Sequence, residues 1–124
     1  MEFALILPVM MLLLLIAIDF GRLFYLYVGV TNAAREGAAY AAQNPSNASG
    51  ITARARQELG NDANLGVSYA CSVAGCPSSQ SVAGPDGDLI TVYTKEAFSF
   101  LTPVVSSIVG SSLWVGASST LVIP

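Results

Sequence analysis

Residues 3–43 read FALILPVMMLLLLIAIDFGRLFYLYVGVTNAAREGAAYAAQ, and this stretch decides the fold. Phe3–Ile18 is uninterrupted apolar sequence, equivalent to about 24 Å of helix. A bilayer core is about 30 Å thick, so the run needs the apolar continuation through Leu23–Val30 to span it. No strong helix-breaking residue lies between Val30 and Asn44, and Pro45 disfavours helix at Asn44. The sequence therefore predicts one helix over residues 3–43, about 60 Å long.

Charged and then aromatic side chains follow the apolar run at its outer end. Asp19 and Arg22 are three residues apart, so we expect them to form an ion pair on one helix face. Phe24, Tyr25 and Tyr27 follow, and aromatic residues of this kind favour the interface between membrane and water. The pattern predicts that residues 1–28 lie in lipid or in the core of a filament. The large side chains that would form this core are Phe3, Leu5, Ile6, Leu7, Met11, Leu12, Leu14, Leu15 and Ile18.

The outer half of the helix carries small residues at a spacing of four. Gly29, Ala33, Gly37 and Ala41 form this small-residue strip, and such a strip lets another backbone approach closely. Two partners are open: the head of the same chain, or the head together with neighbouring subunits. Residues 29–124 are interpreted as one head domain that includes this half of the helix.

Composition limits the classes of function. Hydrophobic residues make up 53% and charged residues 10% of the 124 residues, against about 25% charged in ordinary soluble domains. The net charge is −3 and the five basic residues are scattered, which argues against nucleic-acid binding. Histidine is absent, and no nucleophile stands beside a base. We therefore expect no enzyme activity, no cofactor and no metal ion.

Two cysteines, Cys71 and Cys76, are separated by four residues. In an oxidising compartment this spacing favours a short-range disulfide. A zinc site would need two further ligands, which the neighbouring sequence does not offer.

The rest of the head predicts a small antiparallel sheet with one or two short helices. Ile51, Ala55 and Leu59 give one apolar face of a helix, with Ser49 as its N-cap and Gly60 as its end. Alternation predicts strands at residues 65–71, 89–98 and 112–123. Residues 77–88 are rich in turn formers and are expected to be exposed.

Between the last two strands, Thr102 and Pro103 predict the start of a short helix that Gly110 ends. The predicted fold is α+β, with the sheet packed on the long helix.

Several alternatives remain open. A cleaved signal peptide would begin with basic residues, whereas this chain begins Met1-Glu2. Residues 98–124 carry no charge and could form a second membrane span, although their alternation favours a strand. Asn47-Ala48-Ser49 fits the N-glycosylation pattern. Asp86 and Asp88 could bind calcium, but two carboxylates fall short of its six to eight ligands.

The charge pattern conflicts with the cysteines over orientation. Arg22 and Arg35 follow the apolar run, which would place the head in the cytoplasm by the positive-inside rule. Cytoplasmic cysteines would stay reduced. A basic leader that precedes this sequence would resolve the conflict.

The segments EFALILPVMMLLLLIAIDFGRLFY and TNAAREGAAYAA closely resemble the TadE-like pilins of tight-adherence (Tad, type IVb) pilus systems. Residues 88–124 look like the closing strands and LTP-type turn of that family. The resemblance covers about residues 2–43 and 88–124. It implies a pilin fold, a location in the cytoplasmic (inner) membrane before assembly, and a final location in an extracellular filament on the cell surface.

The resemblance also implies partners and processing. Identical subunits would form a helical homopolymer, and a prepilin peptidase, a platform protein and an ATPase would serve assembly. The peptidase would remove a basic leader after a glycine. Glu2-Phe3 matches the family's pair of glutamate and aromatic residue near the mature N-terminus, and the glutamate would pair with a neighbour's N-terminal amine. Only Met1 precedes this pair, so we expect either that the leader and a few mature residues are missing here or that the start is atypical.

The sequence therefore predicts a structural pilus subunit that polymerises through its N-terminal helix. A minor pilin or a membrane-anchored assembly component is the alternative, since both need the same helix. A tethered extracellular binding domain is a third possibility of a different class.

Overall fold

The computed structural model of the chain describes residues 2–72, 80–81 and 88–124. In these ranges the elements follow in the order α1 (Glu2–Gln43), α2 (Ala48–Gln57), β1 (Gly66–Cys71), β2 (Gln80–Ser81), β3 (Leu89–Ser99), α3 (Pro103–Val109) and β4 (Ser112–Val122). A long apolar helix packs on a small, mainly antiparallel sheet. The predicted α+β fold is confirmed.

The long helix has the predicted bounds to within a residue. α1 is continuous from Glu2 to Gln43 and contains Pro8. After its last residue the N–H of Asn44 still donates to the carbonyl of Tyr40 at 2.9 Å. Pro45 follows and cannot donate, so the helix ends where the sequence predicted.

Both ends of the second helix, α2, differ from the prediction. Its N-cap is Asn47, whose Oδ1 accepts the N–H of Gly50 at 3.0 Å. Ser49 was the predicted N-cap, but it lies inside the helix and donates its hydroxyl to the same Asn47 oxygen. Both residues are good caps, and the one nearer the Pro45 turn is used.

At its other end α2 stops at Gln57, three residues before the predicted Gly60. The carbonyl of Arg56 accepts N–H groups from Leu59 and Asn61, which tightens the chain beyond the regular helix. Gly60 and Asn61 then both adopt positive φ, at 69° and 65°. Glycine and asparagine are the residues that adopt this conformation most readily, and here they reverse the chain.

The sheet has the strand order β2-β1-β3-β4, with β3 in its centre. β3 pairs antiparallel with β1 from Gly66↔Lys95 to Cys71↔Ile90, and with β4 from Leu89↔Val122 to Ser99↔Ser112. The three strands predicted by alternation are all present.

One short strand was not predicted. β2 pairs parallel with the end of β1, through Ala70↔Gln80 and Cys71↔Ser81. The sequence predicts an exposed loop over residues 77–88, and both Gln80 and Ser81 lie within that range. A strand of only two residues is positioned by the chain around it. It is too short to show the alternation of apolar and polar residues from which strands are predicted. Residues 73–79 and 82–87 lie outside the described part of the chain.

The core lies between the outer half of α1, α2 and one face of the sheet. Thr94 adds a polar tie inside it, since its Oγ1 donates to the carbonyl of Val30 at 2.8 Å. The tie joins β3 to α1 at a point where both are buried. The fully buried residues of this core include Val30, Ala33, Ala34, Ala38, Ala41, Ile51, Ala55, Leu65, Ile90 and Val92.

The hairpin of β3 and β4 extends down α1 toward its apolar end. Its tip, defined here as residues 99–114, contains α3 and the first residues of β4. Thr102 holds the N-cap position, Pro103 is the first helical residue, and Gly110 ends the helix at φ 105°. This short helix is confirmed, although the Thr102 side chain makes no capping hydrogen bond.

Candidate functional site: the apolar helix and its junction with the head

The lower half of α1, defined here as residues 3–18, has exposed side chains around almost its whole circumference. Phe3 is 85% exposed and Leu5 78%. The structure leaves every residue of the predicted polymerisation core exposed except Leu12, which is half-buried. These exposed residues are Phe3, Leu5, Ile6, Leu7, Met11, Leu14, Leu15 and Ile18.

This helix is long and apolar enough to cross a membrane, and it is the one helix among the described residues that meets this test. Only 6% of its most apolar stretch is buried within the molecule. A core helix of a soluble protein would be covered by its own chain. The exposed apolar surface therefore needs lipid or another protein to cover it.

Asp19 closes this apolar segment, and it is buried at 3% exposure. Its Oδ1 accepts the N–H of Leu101 at 3.1 Å, and its Oδ2 accepts the N–H of Thr102 at 2.9 Å. Both donors belong to the backbone just before α3. Hydrogen bonds to a charged acceptor stabilise by about 1.5–3 kcal/mol each. Asp19 thus fastens the tip of the β3–β4 hairpin to a fixed height on α1.

The predicted partner of Asp19, Arg22, lies at the edge of this junction. Its Nη1 is 3.5 Å from Oδ1 of Asp19, a longer contact than the two backbone hydrogen bonds. The Arg22 guanidinium also stands 5.3 Å from the centroid of the Phe98 ring. Arg22 therefore contributes charge to the junction, while the backbone of the hairpin tip supplies the direct donors.

Glu96 lies above the junction on β3 and is half-buried. Its Oε2 is buried and makes no hydrogen bond within the described part of the chain. Burial raises the pKa of Glu96, and the carboxylate of Asp62 raises it further. Glu96 shares an open groove with Gly21, Arg22 and Tyr25 of α1.

The small-residue strip lies under the head of the same chain. Ala33 and Ala41 are both fully buried. A Cβ on Gly37 would lie 3.2 Å from Ala55 Cβ and from Val92 Cγ1, so this glycine lets α2 and β3 approach the helix. Gly29 is similarly covered by Leu59. These contacts are all intramolecular; they bury Ala33, Gly37 and Ala41 and leave Gly29 partly exposed, and an additional contact with a neighbouring subunit stays a prediction.

The aromatic residues of α1 lie at the height of the lower sheet. Phe24, Tyr25 and Tyr27 are all exposed. Phe24 and Tyr27 line an apolar groove of about 370 Å³ together with Trp114 of β4. The sequence predicts the boundary between the lower part of α1 and the head domain between residues 28 and 29. Val30 follows closely and is the first buried residue of α1 after Asp19.

Three predicted site residues lie at or beyond the limits of the description. Glu2 is the first residue of α1, and only its backbone is described. Cys71 ends β1 and is buried at 4% exposure, whereas Cys76 lies outside the described residues. The Cys71–Cys76 disulfide and the assembly role of Glu2 therefore stay predictions. Asp86, one of the two carboxylates weighed for calcium, also lies outside.

No cluster of three or more His, Cys, Asp or Glu side chains that could hold a metal occurs in residues 2–72, 80–81 and 88–124.

Sequence reasoning missed the direct contact of Asp19 with the hairpin tip and the tie from Thr94 to α1. A partial signal existed for each. Asp19 follows a long apolar run and needs more than a surface arginine as partner. Thr94 shares the buried parity of Ile90 and Val92, where a hydroxyl must find an acceptor.

Comparison with known proteins gives one match. Residues 1–39 match the model of the TadE-like protein family. No curated protein and no solved structure matches the chain.

The match covers α1 up to residue 39, and this part of the helix carries both the exposed apolar surface and Asp19. It supports a component associated with a Tad pilus, anchored in a membrane or located on the pilus surface. The resemblance read from the N-terminal sequence is confirmed over residues 1–39, which match the TadE-like family model.

Proposed function

We propose that this chain is a structural subunit of a Tad-type pilus and polymerises through the lower half of α1. The observation that supports this most is the exposed apolar surface of residues 3–18. The head has its own core and covers only the outer half of the helix. Copies of the same helix, packed side by side, would cover the rest.

The energetics favour two environments for this surface. Transfer from lipid to a protein core gains little hydrophobic free energy, because both are apolar. Exposure to water would cost about 1.5–3 kcal/mol for each large side chain, or about 25–50 kcal/mol for the run. The subunit would therefore move between membrane and filament without passing through water. Assembly would depend on packing and on work done by the machinery.

The subunit has an anchor and a head that suit a filament. The lower helix would form the filament core, and the sheet would lie outside it. Asp19, Thr94 and the small-residue strip hold the head against α1. Force along the filament would reach the head through these contacts. Identical subunits and membrane lipid are the proposed partners, together with the pilus assembly machinery.

Glu2 provides the test of assembly. A carboxylate beside an apolar core needs a cationic partner, and we propose the N-terminal amine of a neighbouring subunit. In cells that make the pilus, Glu2→Gln should still insert into the membrane but should yield fewer sheared filaments. A loss of about tenfold corresponds to about 1.4 kcal/mol. Immuno-electron microscopy and quantification of the sheared fraction measure it.

Glu58→Gln is the matched control, because Glu58 is exposed on the head at the end of α2. It makes the same change of charge and should leave filament yield unchanged. Wild-type abundance of filaments from Glu2→Gln would refute the assembly role of Glu2.

A minor pilin or a membrane-anchored assembly component would use the same helix. The two are distinguished by abundance in sheared filaments. A major subunit forms the bulk of the fibre, whereas a minor component is present in a small ratio to another pilin.

A further inference from the structure

The tip of the β3–β4 hairpin exposes large apolar side chains. None of the residues of α3 is buried, and Ile108 is 79% exposed. The chain carries no charged residue after Glu96. An uncharged helix with an exposed apolar surface is unusual in water and marks a contact surface. The surface consists of Leu101, Val104, Ile108, Val109, Leu113 and Trp114.

The junction at Asp19 fixes the height of this surface along α1. A bilayer core about 30 Å thick corresponds to about 20 helical residues. A span that begins at Phe3 therefore reaches Arg22. Asp19 lies inside that limit, and the amides of Leu101 and Thr102 are bonded to it. The hairpin tip then begins at the outer edge of the hydrocarbon region.

The layer of lipid headgroups lies directly outside the hydrocarbon core. It is about 5–7 Å thick and corresponds to the next turn or so of α1. Trp114 lines a groove with Phe24 and Tyr27 at this height and is 67% exposed. Lys95 Nζ stands 5.7 Å from the centroid of the Trp114 ring. A tryptophan with a neighbouring lysine is the usual composition of a membrane interface, where the cation faces lipid phosphates.

We propose that the hairpin tip is a second lipid-contacting element of the membrane-resident subunit. Its apolar side chains contact acyl chains at the outer edge of the bilayer core, and Lys95 faces the phosphates of anionic headgroups. The exposed apolar surface of α1 and the tip meet at the junction, where Asp19 is buried and the Arg22 side chain is about half exposed at the edge. The head is therefore held against the membrane at two places and has one fixed orientation.

This inference rests on the proposed membrane insertion of α1 but not on polymerisation. Trp114 is the single tryptophan of the chain, so its fluorescence reports this site alone. The full chain is reconstituted at a low ratio of protein to lipid, in vesicles of phosphatidylcholine and phosphatidylglycerol in equal amounts. Lipids brominated high on the acyl chain, or near the bilayer centre, serve as quenchers. No pilus is needed, so failure here leaves the assembly proposal standing.

We expect lipid brominated high on the acyl chain to quench Trp114 more than lipid brominated near the bilayer centre. Aqueous acrylamide should quench it weakly. Strong quenching by acrylamide with none by either brominated lipid would overturn the proposal. Protection from all three quenchers would also overturn it, because a second copy of the chain would then cover the tip.

The double variant Ile108→Ser/Val109→Ser tests the tip itself. Neither side chain is buried, so the fold should survive. Quenching by the brominated lipid should fall and quenching by acrylamide should rise. Val122→Ser is the control, because Val122 is exposed at the opposite end of β4. Equal effects of the two variants, or none from the double variant, would contradict lipid contact by α3.

Discussion

The two halves of α1 belong to one unbroken helix, yet they are built for different surroundings. Between Phe3 and Ile18 the side chains are large, and nearly all are exposed. From Val30 to Ala41 one face consists mainly of alanine and glycine and is buried under α2 and β3. Small side chains let the backbone of the same chain come close, whereas large ones leave a surface that needs an external partner. Residue size thus divides the helix into an intramolecular half and an intermolecular half.

Two glycines of α1 offer the largest expected difference between the halves. Gly37→Leu should destabilise the head by about 3 kcal/mol or more, because its side chain must displace Ala55 and Val92. Gly21→Leu is the matched control, since a Cβ there meets nothing within 4 Å. Thermal unfolding of both variants in detergent measures the difference. Equal melting temperatures would contradict the division of the helix.

The junction between the halves should give an intermediate effect. Asp19→Ala leaves the N–H groups of Leu101 and Thr102 without their acceptor, which should cost about 2–3 kcal/mol, because water can replace the bond at the exposed Leu101. Hydrogen–deuterium exchange of these two amides should accelerate, while exchange in β1 stays slow. Asp19→Asn retains one acceptor oxygen and should lose less. Unchanged exchange at Leu101 and Thr102 in the alanine variant would show that Asp19 does not hold the tip.

Glu96 should give the smallest effect, and one that depends on pH. Burial and Asp62 raise its pKa in the folded state, so the folded chain holds this proton more tightly than the unfolded chain does. The associated stability is fully present below the pKa of Glu96 in the unfolded chain and is lost as the pH rises through its higher pKa in the folded chain.

Glu96→Gln should remove this loss. The variant should match the wild type in acid and exceed it by less than about 1 kcal/mol at neutral pH, because the group is partly solvated. Unfolding temperatures measured across this pH range test the expectation. The expectation would be contradicted if the wild type became more stable relative to Glu96→Gln as the pH rises.

Local patterns were sufficient to predict most of the fold. A long apolar run, followed from Val30 to Asn44 by sequence without strong breakers, defines α1 up to Pro45. Alternation defines β3 and β4, and Thr102-Pro103 with Gly110 defines α3. These features depend on residues close together in the sequence.

The missed features depend on contacts between distant residues. Asp19 and Thr102 are bonded across most of the chain, and β2 is held by a pairing of two residues. The N-cap of α2 was misassigned because Asn47 and Ser49 are both good caps. The exposure of residues 3–18 was predicted as a membrane or filament surface, and the partner in the filament stays a proposal.

The most direct test of that proposal places a photoreactive amino acid at Leu14 in the subunit of assembled filaments. Leu14 is exposed in the lower half of α1. Illumination of sheared filaments should produce a ladder of covalently joined subunits, whose adducts map to residues 3–28 of the neighbouring chain. Filaments that contain the labelled subunit but yield only single chains, or adducts confined to the head, would contradict the packing of this helix against its copies.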